Sequence, residues 1–177
     1  MFFKELETNR LFLKSISPED REFIFTVFSN DIVNEYLFDA EPLTDIQEAD
    51  EIIGFYIQEE PREQQRWVLV RKSDGVKLGT CGFHCWDKSK SCCDVGYELL
   101  SDFWGMGYMN EAIQKILEFA QNDMKVSYIN ACIYVNNENS IKLIEKHGFI
   151  HKGEMKDEIF REEKFPHKIF TLDCSAE

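Results

Sequence analysis

A pair of glycines, Gly105 and Gly107, separates a strand-like run from a helix-like run, and this arrangement has the chemistry of an anion site. Residues 93–100 indicate a strand, and apolar residues recur at helical spacing over residues 113–124. Glycine lets the chain turn without a Cβ in the way, and a helix N-terminus presents free N–H groups with a partial positive charge. We therefore predict a phosphate site at the turn around Gly105 and Gly107, within residues 102–112, and we name this turn the glycine corner.

Four cysteines near one predicted hairpin raise the question of a metal site. Cys81 and Cys85 share one face of a predicted strand, and Cys92 and Cys93 begin the next strand. Their spacing lacks the two-residue gap of zinc ribbons, and strand alternation would point some thiols away from the others. We predict no metal ion, and we expect these cysteines to be free and reduced in a cytosolic protein.

Composition and charge limit the classes of protein to consider. The chain has 177 residues, 44% of them hydrophobic, which is enough to bury one core, so we predict a single domain over residues 1–177. The net charge is −13 and no basic stripe is present, so nucleic acid is not an expected partner. An acidic surface suits a cationic substrate, although it also serves solubility.

The sequence also argues against membrane insertion. Residues 1–5 lack the apolar core of a signal peptide, and no segment approaches transmembrane length. We expect no membrane partner and a cytoplasmic location.

Local patterns in the first half predict one strand and two helices. Residues 6–16 alternate as a strand does, and Ser17 begins a helix as its cap. Thr44 and Gln47 have the spacing of a capping box for the second helix. Residues 30–38 indicate a short helical turn followed by a loop.

The middle of the chain predicts a meander of strands at residues 66–71, 76–86 and 92–100. A helix then leads to a further strand at residues 126–135. Strand–helix–strand units cross over right-handedly, so the strands at 92–100 and 126–135 should be parallel neighbours.

The last part predicts a helix between Asn137, as its cap, and Gly148, as its left-handed terminator. A strand from Ile150 and a final strand at residues 168–172 follow, with Pro166 between them. These elements together indicate one mixed α/β (α+β) domain.

Two motifs, Gly105-Met106-Gly107-Tyr108-Met109-Asn110-Glu111-Ala112 and Asn137-Glu138-Asn139-Ser140, stand in this order with a helix and a strand between them. Together with His147-Gly148-Phe149 they resemble the GNAT superfamily of N-acetyltransferases, over nearly the whole chain. Residues 104–108 and the Asn137-x-x-Ser140 pattern are similar to the Rim-like branch, which acetylates N-terminal residues of ribosomal proteins. The resemblance implies a mostly antiparallel central sheet with one parallel, splayed strand pair and helices on both faces.

The resemblance implies that the phosphate belongs to acetyl-coenzyme A (acetyl-CoA). Its pantetheine arm would run between the strands at 92–100 and 126–135. The cofactor-binding residues carried over are Leu99, Leu100, Trp104, Gly105, Met106, Gly107, Tyr108, Met109, Asn137 and Ser140. Asp102 departs from the pattern, because the superfamily usually has Gln or Arg there, and a carboxylate would repel the pyrophosphate.

The resemblance also implies direct attack of an amine on the thioester in a ternary complex, which needs a base and an acid. Candidate bases are Asp94 and Glu98 on one strand face and His84 on the neighbouring strand. Each also has a purely structural explanation, as a solvated carboxylate or a hydrogen-bonded histidine, and many relatives rely on a water chain.

For the acid, many superfamily members use a tyrosine at the position of Ile144, so that role is vacant here. Ser140 is the alternative, near the sulfur, although a serine there also satisfies free N–H groups of the helix. A backbone N–H of Leu99 or Leu100 is the expected oxyanion donor.

The acceptor is expected to be a primary amine, with a protein N-terminus favoured. A small amine or antibiotic is one alternative, and a non-catalytic acyl-CoA-binding module is another. Loops at residues 30–41, 59–65 and 160–167 would select the acceptor. The protein is expected to be a monomer or a homodimer.

Overall fold

An eight-stranded sheet with the strand order β1-β2-β3-β4-β5-β6-β8-β7 forms the centre of the protein. The computed structural model describes residues 2–174, so residues 1 and 175–177 of the predicted domain lie outside the described residues. The strands are β1 (Leu6–Glu7), β2 (Leu11–Ser15), β3 (Gln65–Arg71), β4 (Lys77–Asp87), β5 (Cys92–Leu99), β6 (Tyr128–Tyr134), β7 (Ile150–Phe160) and β8 (Glu163–Asp173). Neighbouring strands are antiparallel except for β5 and β6, which are parallel, and this confirms the predicted sheet.

Helices cover both faces of the sheet, as predicted. They are α1 (Arg21–Phe28), α2 (Asp31–Asn34), α3 (Glu48–Tyr56), α4 (Tyr108–Phe119) and α5 (Glu138–Lys146). Because side chains alternate along β3, Trp67 packs with Ile113 of α4 on one face, whereas Val68 packs with Ile24 of α1 on the other. Each such fully buried aliphatic side chain contributes about 2 kcal/mol to stability.

The parallel pair of strands separates after a short contact. The two strands are paired only where Cys92–Asp94 of β5 lie beside Tyr128–Asn130 of β6. Beyond that point β6 continues to pair with β8 as far as Tyr134, whereas no strand within residues 2–174 lies beside residues 95–99 of β5 on that side. The result is an open wedge between β5 and β6, directly before the glycine corner.

Two predictions about strands were wrong. The predicted strand at residues 6–16 is a hairpin, since the N–H of Thr8 donates to the carbonyl of Leu11 at 2.9 Å and turns the chain between β1 and β2. Pro166 lies inside β8 rather than between strands; it has no N–H to offer, but its carbonyl accepts from Val135 at 3.1 Å. The predicted acceptor loop at 160–167 is therefore a tight turn at residues 161–162.

The predicted helix ends at Ser17, Asn137 and Gly148 are confirmed, whereas the one at Thr44 is wrong. The N–H of Ser17 donates to the Asp20 carboxylate at 2.8 Å where the first helical segment begins, and Gly148 has the left-handed φ of +86° after α5. Thr44 caps nothing, because α3 begins at Glu48, whose carboxylate accepts from the N–H of Thr44 at 2.7 Å. No helix within residues 2–174 has both the length and the apolar character needed to cross a bilayer.

Candidate active site

The glycine corner turns the chain from β5 into α4 through two left-handed glycines. Gly105 has φ of +73° and Gly107 has φ of +79°, and Gly107 is the N-cap of α4. A Cβ on Gly105 would meet no other atom of residues 2–174 within 4 Å, its chain neighbours aside, so the backbone there is open to a ligand. The first N–H groups of α4 have no partner within the helix and point to the same space. Geometry and partial charge both suit an anion at this corner.

Arg10 lies beside this corner and was not among the predicted site residues. Its Nη1 donates to the carbonyl of Met106 at 3.0 Å, and its guanidinium lies 4.4 Å from the ring centre of Tyr108. Its Nη2 lies 3.5 Å from the position that a Cβ on Gly107 would occupy. Arg10 thus brings a positive charge to the glycine corner, whereas Asp102, where the superfamily usually has Gln or Arg, brings a negative one.

Glu111, in the first turn of α4, holds Arg10 in place. Its Oε2 accepts from Arg10 Nε at 2.7 Å, and its Oε1 accepts from the backbone N–H of Arg10 at 2.8 Å and from the hydroxyl of Thr8. Burial opposes ionisation of Glu111, but the hydrogen bonds from Thr8 and Arg10 outweigh it, and the pKa of Glu111 is lowered. Arg10 and Glu111 are far apart in sequence, so no local pattern links them.

A cleft of about 660 Å³ extends from the glycine corner along the open wedge. The predicted cofactor residues that line it are Leu99, Trp104, Gly105, Gly107, Tyr108, Met109, Asn137 and Ser140. Met106 and Leu100 do not line it. Leu99 or Leu100 was the predicted oxyanion donor, and the N–H of Leu100 already donates to the carbonyl of Leu78 at 3.0 Å.

Ser140 lies in this cleft and is hydrogen-bonded to a tyrosine. Its Oγ is 2.6 Å from the hydroxyl of Tyr97 on β5, and its N–H donates to Oδ1 of Asn137 at 3.2 Å. Burial raises the pKa of Tyr97 well above its ordinary value, so its phenol remains protonated at neutral pH. The tyrosine that the family resemblance implies is replaced here by Ile144, a fully buried core residue, and Tyr97 was not among the predicted site residues.

Glu98 lies on the opposite face of β5, in a buried network. Its Oε2 accepts from Nη1 of Arg66 and from the hydroxyl of Thr80 at 2.6 Å, and the side chains of Arg66 and Glu98 are 7% and 9% exposed. Burial lowers the pKa of Arg66, but the attraction and hydrogen bonds of Glu98 and Tyr56 together raise it by more, so Arg66 stays charged. The other oxygen of Glu98, Oε1, has no hydrogen-bond partner within residues 2–174.

A second cavity, of about 320 Å³, meets the cleft at Glu98 and Leu37, which line both. The predicted loop at 30–41 contributes part of its wall, whereas the predicted loop at 59–65 does not. Its apolar lining includes Phe28, Leu43, Ile52 and Phe55. Its charged lining is the four carboxylates of Asp39, Glu41, Glu51 and Glu98 against the single guanidinium of Arg66. We name this space the acidic cavity.

Asp94 and His84 do not share this environment. They face each other across β4 and β5, and Asp94 is four residues from Glu98, or roughly 13 Å along a strand. Asp94 borders a different cavity and accepts a hydrogen bond from Asn130 at 3.3 Å. Burial lowers the pKa of His84, and the Asp94 carboxylate opposes that shift. The structure therefore brings Ser140 and Glu98 to one cleft and sets Asp94 and His84 apart from it.

Comparison with known proteins agrees with this arrangement. Residues 10–150 match the family model described as the acetyltransferase (GNAT) domain. The chain is 31% identical over 160 residues to the uncharacterized N-acetyltransferase YoaA of Bacillus subtilis, a match that covers 90% of each protein. It is 26% identical over 87 residues to the putative ribosomal N-acetyltransferase YdaF of Bacillus subtilis, which covers 49% of this chain and 48% of the relative.

The fold has close counterparts among solved structures. The spermidine N-acetyltransferase from Vibrio cholerae, solved in complex with CoA and spermine, superposes with a TM-score of 0.83. The match covers 95% of this chain and 98% of that one, at 18% sequence identity, so it establishes the common fold. Because the GNAT domain model matches residues 10–150 and YoaA is 31% identical over 90% of the chain, the chain belongs to the GNAT family of acetyltransferases.

Proposed function

We propose that the protein transfers the acetyl group of acetyl-CoA to a primary amine, with both substrates bound at once. One observation carries this proposal: Glu98 lines both the cleft at the glycine corner and the acidic cavity. A donor in the first space and an acceptor in the second would meet there, which supplies the proximity that such a transfer requires.

The glycine corner suits the pyrophosphate of acetyl-CoA. Gly105 leaves the backbone open, the first turn of α4 offers N–H groups, and Arg10 adds a guanidinium beside Gly107. The unpaired edge of β5 in the wedge offers hydrogen-bonding groups to an extended chain such as pantetheine. Acetyl-CoA, when bound, supplies the acetyl group as an activated thioester.

Ser140 and Tyr97 are the proposed acid pair. Because the hydroxyls are 2.6 Å apart, a proton that Ser140 Oγ gives to a departing thiolate can be replaced from Tyr97. Asn137 fixes the start of α5 by accepting from the N–H of Ser140, so the serine hydroxyl is not needed as the helix cap. This leaves the hydroxyl available for the reaction.

Glu98 is the proposed partner of the amine. Arg66 and Thr80 hold Oε2 and thereby orient the carboxylate, while Oε1 is left to accept a hydrogen bond and then a proton from an ammonium group. The separation along β5 favours Glu98 over Asp94 for this role, because Ser140 lies at the Glu98 end of the cleft. His84 lies opposite Asp94 on the neighbouring strand, so the same argument disfavours it as the base.

The acidic cavity favours a small cationic amine as the acceptor. Its carboxylates outnumber its one guanidinium, and its apolar side chains suit a methylene chain between charged groups. The partial likeness to YdaF supports a second candidate, the N-terminus of a ribosomal protein, as in the Rim-like branch. The Vibrio cholerae enzyme, which is a spermidine N-acetyltransferase, supports the first candidate, a small cationic amine, but only because the two proteins have the same fold.

An acceptor screen tests the proposal. Purified protein and acetyl-CoA are incubated with spermidine, an aminoglycoside or an N-terminal ribosomal peptide, and release of free thiol is followed. We expect acetyl-CoA-dependent release, with spermidine the best acceptor and an uncharged amine of similar length a poor one. Preference for the peptide would select the second candidate, and binding of acetyl-CoA without release on any amine would indicate a non-catalytic module.

A further inference from the structure

A bulge in β4 places two consecutive side chains at one spot. Three steps along β4, from His84 to Asp87, match only two steps along β5, from Asp94 to Cys92. The extra residue interrupts the alternation of faces, and Cys85 adopts a left-handed φ of +53°, which a residue with a Cβ seldom does. In a regular strand His84 and Cys85 would point to opposite faces. The bulge turns both toward Asp94.

The three side chains form a compact set of donors. A ring nitrogen of His84, the Sγ of Cys85 and a carboxylate oxygen of Asp94 all lie within 4.8 Å of one another. Ligand atoms around a tetrahedral zinc ion are about 3.4 to 3.8 Å apart, given metal bonds of about 2.0 to 2.3 Å. The difference of about 1 Å is within reach of side-chain rotation, since Cys85 is exposed.

From this geometry we propose that His84, Cys85 and Asp94 form a binding site for one divalent transition-metal ion of the zinc class. Imidazole, thiolate and carboxylate together are typical zinc ligands, and three protein ligands leave one position for water. On binding, the thiol of Cys85 would give its proton to the solvent. The ion is an additional ligand of the protein, and the proposal does not rest on the acetyl-transfer function.

The surroundings of the three side chains support this site. Asn130 Nδ2 donates to Oδ1 of Asp94 at 3.3 Å and so orients the carboxylate, as hydrogen bonds to metal-binding side chains do in metal centres. Neither ring nitrogen of His84 has a hydrogen-bond partner within residues 2–174, so one is available to a metal. A cavity of about 830 Å³, bordered by Cys85 and Asp94, gives an ion a path to them.

The donor set differs from the one considered from the sequence. Cys81 and Cys93 are buried in the core, so they cannot join the exposed Cys85 at a common ion. The expectation of no metal rested on the spacing of the thiols and on the alternation of side chains along a strand. A histidine and an aspartate brought in by the bulge and by the pairing of β4 with β5 supply the donors that the cysteines do not.

Cobalt(II) titration of the metal-free protein tests the site, because a thiolate bound to cobalt absorbs in the near ultraviolet. We expect one ion per chain with this band, and zinc should displace the cobalt. The band should be lost in Cys85→Ser and in Cys85→Gly, where glycine accepts the left-handed backbone. Asn130→Ala should weaken binding by about tenfold.

Cys174→Ser is the matched control, since Cys174 is a half-buried thiol outside the donor set, and it should keep the full band. Thermal melting shows which variants are folded. A wild-type protein without the near-ultraviolet band, or a band that survives in folded Cys85→Gly, would overturn the proposal. A band that disappears in Cys174→Ser would place the metal elsewhere and overturn it as well.

Discussion

The hydroxyls of Tyr97 and Ser140 lie 2.6 Å apart and join β5 to the first turn of α5 across the open end of the sheet. Ser140→Ala removes the proposed proton donor without touching the glycine corner. We expect turnover to fall by about 10²-fold, as for loss of general acid catalysis, while the affinity for acetyl-CoA stays within a factor of about two. Tyr97→Phe should lower turnover as well. Steady-state thiol release and calorimetric titration measure the two quantities.

Ser73→Ala is the control for these variants, because Ser73 is an exposed turn residue that lines neither cavity. It should match the wild type in both measurements. Full turnover in Ser140→Ala would mean that the serine only completes the first turn of α5.

Gly107→Val tests the phosphate site. Valine at φ of +79° strains the backbone by about 1–3 kcal/mol and places a side chain beside Arg10 Nη2. We expect acetyl-CoA binding to be lost in calorimetry. Gly75→Val is matched for backbone strain, since Gly75 has φ of +74°, but it lies in an open turn. Both variants should melt at a lower temperature, and only Gly107→Val should lose the ligand; equal affinities in the two would move the phosphate elsewhere.

Arg10→Gln tests the cation at the corner. A lost charge-assisted hydrogen bond to phosphate costs about 1.5–3 kcal/mol, so we expect the dissociation constant of acetyl-CoA to rise by at least about tenfold. Arg21→Gln is the control, because both arginines are ion-paired and their side chains are similarly exposed, 41% for Arg21 and 42% for Arg10. Raised salt should weaken binding to the wild type more than binding to Arg10→Gln. Unchanged affinity in Arg10→Gln would exclude Arg10 from the phosphate site.

Glu111 gives a pH-dependent prediction. Its folded pKa is lowered, since bonds from Thr8 and Arg10 outweigh burial, so its stabilising contribution is present above the unfolded pKa of about 4.3 and is lost as the pH falls through the folded value. We expect Glu111→Gln to be less stable than the wild type in urea denaturation at pH 7. The difference should shrink as the pH is lowered below about 4, and a difference independent of pH would contradict this assignment.

Glu98→Gln and Asp94→Asn compare the two carboxylates proposed for the amine. Glu98→Gln keeps the shape of the side chain but removes its charge and the proton acceptor, so we expect a lower turnover and a higher KM for the amine. The loss in Glu98→Gln should exceed that in Asp94→Asn by about tenfold or more, because Asp94 is roughly 13 Å away along β5. The reverse order would assign the base role to Asp94.

Local sequence signals predicted much of the fold. Glycines that need a left-handed backbone, such as Gly107 and Gly148, and the cap at Asn137 act within a few residues, so their patterns are visible in the sequence. Thr44 has the sequence spacing of a helix cap but does not cap a helix. Its N–H donates to the carboxylate of Glu48, and α3 begins only at Glu48.

Long-range pairing accounts for what the sequence did not reveal. Arg10 reaches the glycine corner only because β2 and α4 pack together, and Tyr97 meets Ser140 only because β5 and β6 separate. The register of β4 against β5 pairs Asp94 with His84, away from Ser140. The contacts of Arg10 and Tyr97 join residues that are far apart in the sequence, so no local spacing predicts them.

The most direct test of acetyl transfer is product detection by mass spectrometry, with wild-type protein, acetyl-CoA and spermidine. The proposed function predicts an acetylated amine formed in equal amount to the free thiol, and strongly reduced formation of both with Ser140→Ala and with Gly107→Val. Thiol release without an acetylated amine, or equal product from wild type and Gly107→Val, would contradict it.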